Sequence, residues 1–145
     1  MKPIITWVVV GNARTISVLA HQGSGNGLTA VADQQWHAPE IAASKDRAGV
    51  GHSIAGPGIA AVEQTDSKLV HDTRFAKEAV SHLSAAYLSK KFDRLIVVAG
   101  PYMLGLLRGN LDAPLRAALI GDIPKDLSAQ SLTDIETHLG ELMAV

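Results

Sequence analysis

Six histidines are spread along a chain that contains no cysteine, so a cysteine-ligated metal site is ruled out and the histidines are what invite a metal reading. His71, Glu78 and His82 fall on one side of a helical stretch, and Glu78 and His82 have the i,i+4 spacing that sets two ligands side by side. The same spacing serves an ordinary ion pair on a solvated face, and no His-Glu-x-x-His arrangement occurs, so no metal is assigned. Two-metal nuclease chemistry needs carboxylates converging on ions roughly 3.5–4 Å apart. The segment from Thr6 to Asn12 carries no acid, and Glu78 and Asp93 are isolated, which argues against a nuclease. The absence of cysteine removes thiol nucleophiles, disulfides and iron–sulfur clusters together. No catalytic residue and no cofactor are assigned.

Two glycine-rich segments could cradle an anion through backbone N–H groups. Gly23-Ser24-Gly25-Asn26-Gly27 precedes a strand rather than a helix and therefore reads as a hairpin loop. The stretch Gly49–Gly58 is the stronger candidate: its glycines at 49, 51, 56 and 58 let the backbone approach a partner closely. Lys45, Arg47 and His52 add donors to it, and Gly56, Pro57 and Gly58 lead towards Lys68, His71 and Arg74. Together these residues form a candidate contact surface for an RNA backbone. Gly100 and Pro101 form a second candidate, a cleft at the carboxyl end of a buried strand, where α/β sheets bind ligands.

The elements that position these residues follow from hydrophobic patterning. Ile4–Val10 is an almost continuous apolar run ending in Gly11-Asn12, as expected of a central strand covered on both faces. Thr15–Ala20 alternates polar and apolar residues, and Leu28–Ala32 makes a third strand. From Trp36 to Ser67 no periodicity is sustained, although a short helix is expected around Pro39–Ser44, and residues 45–65 read as a flexible insertion. Asp66-Ser67 offers an N-cap for a helix from Lys68 to about Ser89, with Leu69, Ala76, Val80, Leu83 and Tyr87 as its buried stripe. Leu95–Ala99 is a strand apolar on both faces, followed by helical segments at Tyr102–Arg108 and Ala113–Leu119. A fifth strand covers Ala118–Ile123, and a last helix starts near Ser131 with Leu132, Ile135, Leu139 and Leu142 on one face. The order β-β-β-α-β-α-β-α implies an α/β fold, a mixed five-stranded sheet with helices packed on it. A ribonuclease-H-like architecture satisfies this order, with the first strand central and the last two parallel to it.

At 145 residues, with 47% hydrophobic and 19% charged residues, the chain has the size and balance of one globular domain spanning 1–145. A formal net charge of −1 supplies no global basic field, so a nucleic-acid contact would have to be a local patch. No apolar run approaches the roughly 20 residues that cross a bilayer, and the opening run is short and lacks a cleavage site. The expectation is a cytoplasmic protein with no membrane partner. A small domain with open sheet edges is also compatible with homodimerisation.

Several stretches, in matching order over the whole chain, resemble the bacterial host attachment protein family. They are Ile5–Val10 with Ala13-Arg14, His71–Glu78, Phe92–Pro101 running on through Leu104–Arg108, and Ile123–Leu127. That family in turn is similar to the middle domain of the archaeal and eukaryotic peptide-chain release factor and of the ribosome-rescue protein Pelota. The resemblance implies a release-factor-middle-domain-like fold and a partner in the ribosome or tRNA. In the release factor a Gly-Gly-Gln loop before the long helix reaches the peptidyl-transferase centre, and by position Gly56-Pro57-Gly58 corresponds to it. Ile59 stands after Gly58 in place of Gln, and its side chain neither donates nor accepts a hydrogen bond; Gln64 lies further on. The resemblance therefore implies binding of ribosome or RNA; the alternative is a non-catalytic protein–protein interaction factor that contributes indirectly to host-cell attachment.

Overall fold

A computed structural model of the chain describes residues 3–40 and 57–145 and, within these, all side chains but those of 57–65. Lys45, Arg47, His52, Gly56 and most of the helix expected around Pro39–Ser44 lie outside the described residues. The order is β1 (Thr6–Gly11), β2 (Thr15–His21), β3 (Thr29–His37), α1 (Pro57–Leu88), β4 (Arg94–Ala99), α2 (Pro101–Asn110), α3 (Ala113–Ala118), β5 (Leu119–Ile123) and α4 (Leu132–Leu139). The five strands form one sheet in the order β3-β2-β1-β4-β5. β1 pairs antiparallel with β2, β2 antiparallel with β3, β1 parallel with β4, and β4 parallel with β5. The expected α/β class, mixed sheet and central first strand are therefore present.

β1 is buried along its whole length because both of its faces are covered. On one face, Trp7, Val9, Ile16, Val18, Leu95 and Val97 pack against Phe75, Ala79 and Leu83 of α1 and Met103 and Leu107 of α2. Trp7 stacks on Phe92 with ring centroids 4.6 Å apart. On the other face, Val8, Val10, Leu19, Ile96 and Val98 pack against Ile135 and Leu139 of α4 and against Leu127. Alternate residues of one strand thus serve two cores, which requires a continuous apolar run.

Four sequence expectations need correction. The first strand begins at Thr6 rather than Ile4, which is exposed. β3 extends through Asp33-Gln34-Gln35 to His37, because an exposed edge strand needs no apolar alternation. A register shift between Ser17 and Leu19, with Asp33 at φ 65°, lets the strand continue past the irregularity. α1 begins at Pro57, not Lys68. The run Ala60-Ala61-Val62-Glu63-Gln64 is rich in good helix formers, and Asp66 and Ser67 are carried on an exposed face instead of capping. Leu69, Leu132 and Leu142 were expected to be buried, yet each is at least 40% exposed.

The geometry of α1 explains Leu69. Its 32 residues make a rod of about 48 Å, whereas the six residues of β4 span about 20 Å. Its carboxyl end must turn into the start of β4, so its first half runs past the carboxyl edge of the parallel strands. Leu69 and Val70 lie on that overhang.

Candidate functional site

The overhang of α1 meets the start of α2 at the carboxyl edge of β4. Gly100 is the N-cap of α2 in extended conformation, its carbonyl accepting from Leu104 N at 2.8 Å, and Pro101 occupies the first helical position. These two residues begin the helix and so place Tyr102 one residue on. The Tyr102 hydroxyl donates to Asp72 Oδ2 at 2.8 Å, and Lys68 Nζ donates to the same oxygen at 2.6 Å. The Lys68 ammonium also lies 4.5 Å from the centre of the Tyr102 ring. Asp72 is buried, with its side chain 4% exposed, while Lys68 remains mostly in solvent at 59%.

Burial alone would raise the Asp72 carboxyl. Hydrogen bonds from Lys68 and Tyr102 and the Lys68 charge outweigh it and hold the group below its ordinary value. Its hydrogen bond with Asp72 pushes the Lys68 ammonium up. Burial, and then the Asp72 hydrogen bond, push the Tyr102 phenol up as well. At neutral pH the cluster is therefore a carboxylate between an ammonium and a phenol. Neither a free amine nor a phenolate is available as a nucleophile, and what the cluster does is fix charge and geometry.

His71 is tied down separately. Its Nε2 lies 2.7 Å from Pro39 O, and since a carbonyl only accepts, Nε2 carries the hydrogen. Nδ1 faces Asp72 Oδ1 at 3.5 Å. This bond joins α1 to the segment leaving β3. Arg74 has no carboxylate within ion-pair distance among the described residues, and it lines a surface groove with Asp66, Ser67, Val70 and His71. Two of the expected groups, Lys68 with His71 and Gly100 with Pro101, are thus brought together through Asp72 and Tyr102. Arg74 stands beside them. Pro57 and Gly58 form the start of α1.

A second polar knot lies at the same carboxyl edge. Asn12, just past β1, accepts from Arg14 N at 2.8 Å and Thr15 N at 3.0 Å, and its amide donates to Ser128 Oγ at 2.9 Å. Ser128 in turn donates to Asp126, whose carboxyl is held below its ordinary value mainly by that bond. The knot fastens the loop after β5 to the end of β1.

The other histidine and glycine readings resolve locally. His82 stacks on Trp36 of β3 with centroids 4.8 Å apart, and its Nε2 is 4.0 Å from Glu78 Oε1. No group of three or more potential metal ligands exists among the described residues. The Gly23–Gly27 loop joins β2 to β3, and the N–H groups of Gly25 and Gly27 donate to Val145 O at 2.9 and 3.2 Å. No helix among the described residues is long and apolar enough to cross a membrane.

Asp72 and Tyr102 were missed by sequence reasoning. The Lys68/Asp72 spacing was readable as an i,i+4 ion pair, but Tyr102 lies thirty residues further on, and only the helix crossing brings it in. Among known families, the one described as "Protein required for attachment to host cells" matches residues 7–139, so the chain belongs to that family. No curated protein matches the chain.

Proposed function

We propose that this member of the host attachment family is a binding domain that engages RNA of the translation apparatus, ribosome or tRNA, through the overhanging half of α1. On this reading it affects attachment indirectly, through the synthesis of other proteins, as its release-factor-like resemblance suggests. The supporting observation is an Arg74 with no carboxylate in ion-pair distance among the described residues, in a groove it shares with His71 and Asp66, next to a Lys68 whose charge is held in place by Asp72. Positively charged side chains at fixed positions on a helix suit contacts to phosphates, which orient a protein without reading sequence. Lys45, Arg47 and His52, which lie outside the described residues, are the further donors the sequence offers.

Co-sedimentation with ribosomes at low and high salt tests the reading, comparing the full chain with a variant carrying Lys45→Gln, Arg47→Gln and Arg74→Gln. Binding that falls steeply with salt and is weakened in the variant, at unchanged thermal stability, is the expected result. No association at low salt, or association indifferent to both salt and substitution, would overturn it.

A second reading, a protein partner, is favoured by Leu69 and Val70, which are 45% and 57% exposed on the same overhang. It predicts association that persists in high salt and is lost in Val70→Asp.

A further inference from the structure

A separate groove opens at the opposite, amino-terminal edge of the parallel strands, where α2 ends and α3 leads into β5. It has a volume of about 540 Å3 and is lined by Gly105, Arg108, Gly109, Leu111, Arg116 and Leu119. That is the size of a small-molecule site, with two guanidinium groups over a partly apolar floor. We propose that this groove binds a phosphate group, held between Arg108 and Arg116, with the rest of the ligand lying against α2 at Gly105 and Gly109.

The two arginines are positioned differently. Arg116 donates from Nε to Leu111 O at 3.0 Å, which orients the guanidinium, and among the described residues it has no carboxylate partner. Arg108 Nη1 is 3.2 Å from Asp122 Oδ2; the arginine is mostly in solvent and the carboxylate half-buried, and a bound oxyanion would compete with Asp122 for the guanidinium. Two guanidiniums lining one groove can present several N–H donors to the oxygens of one phosphate, a geometry a lone lysine cannot supply.

The glycines bear on the ligand. Glycine in a helix interior is less favourable than alanine, so it calls for a reason. At Gly105 and Gly109 the usual structural reasons are missing: neither has positive φ, and a Cβ at either position would meet nothing within 4 Å among the described residues. Space is left open on the wall of the groove, where a ligand can approach the helix backbone closely. The site stands apart from the α1 overhang and does not depend on it.

The test is an NMR titration of the full chain that follows the arginine Nε signals and the Gly105 and Gly109 amides. One arm uses AMP as a phosphomonoester; the other uses a short oligonucleotide without terminal phosphates as a phosphodiester. Saturable shifts at Arg108, Arg116 and the two glycines are expected, and the arm that produces them identifies the source of the phosphate. Arg116→Gln should weaken binding by about tenfold or more. Asp122→Asn, which removes the competing carboxylate, should tighten it. Gly105→Gln should abolish it while leaving the melting temperature equal or higher, because glutamine is the better helix former. Unmoved signals in both arms at millimolar probe, or equal affinity in Arg116→Gln and the parent chain, would overturn the proposal. Ribosome binding through α1 can fail without affecting any of these outcomes.

Discussion

Replacing Asp72 by Asn keeps the shape of the side chain and removes the charge that joins α1 to α2. The carboxylate accepts from Lys68 at 2.6 Å and from Tyr102 at 2.8 Å. A hydrogen bond to a charged group contributes about 1.5–3 kcal/mol when well sequestered. Lys68 is 59% exposed, which reduces its share to that of a surface pair, roughly 0–1 kcal/mol. Tyr102, about half exposed, belongs at the low end of its range. The expected loss is about 2 kcal/mol, or a fall of about 4–8 °C in melting temperature for a domain of this size. The pH dependence carries a sign. Asp72 titrates lower in the folded chain than in the unfolded one, so its contribution is complete above about pH 4 and is lost as pH falls through the folded value. Urea unfolding in steps from pH 7 to about pH 2.5 should show the gap between parent and Asp72→Asn closing in acid. Tyr102→Phe should cost much less in the Asp72→Asn background than alone, since the two side chains share one interaction. Equal stability of Asp72→Asn and the parent at pH 7, or a gap that persists undiminished into acid, would refute the account.

Two further substitutions probe the sheet. At Gly11 an added Cβ would lie 2.6 Å from Ile16 Cγ1 and 2.8 Å from Thr15 O, so Gly11→Ala should destabilise by about 1–3 kcal/mol in chemical denaturation; an unchanged midpoint would contradict this. His21 is 2% exposed, and among the described residues neither ring nitrogen has a hydrogen-bond partner. His21→Leu removes that unmet polar group and should leave stability equal or raise it by up to about 1 kcal/mol, whereas a loss of more than that would show that the ring is bonded in solution.

The parts of this fold legible in the sequence are those whose burial is uniform. β1 and β4 are covered on both faces and had to be continuous apolar runs, and the antiparallel turns between β1, β2 and β3 were marked by glycine and asparagine. β3 runs further than its apolar pattern indicates because its exposed edge tolerates Asp33-Gln34-Gln35, which look like loop. α1 starts earlier than its cap signal indicates because Asp66-Ser67 has the composition of a cap, and a cap cannot be told from an exposed helical turn without knowing what lies on either side. Leu69 departs from its pattern for a related reason. Periodicity identifies a face of the helix but not where the sheet beneath it stops. The candidate site was legible only in halves. Lys68, His71 and Arg74 were grouped from local sequence, and Gly100-Pro101 from its place at a strand end. Their connection through Asp72 and Tyr102 is a tertiary contact that no local pattern encodes.

α2 links the two surfaces considered. Its first turn supplies Tyr102 to the cluster that holds the α1 overhang, and its last turns supply Gly105, Arg108 and Gly109 to the groove at the other edge. Between them, Met103, Leu104 and Leu107 are buried on the sheet and anchor the helix, while Gly105 and Gly109 lie exposed. A helix anchored on one side can carry different chemistry at each end without either end setting its position. Substitutions on the exposed positions should therefore act on one surface at a time. Cutting back a buried anchor such as Leu107 would displace both together, and its effects on binding could not be assigned to either. For that reason the informative variants are Arg74→Gln, Arg116→Gln and Gly105→Gln, each of which alters a surface and leaves the core that positions it intact.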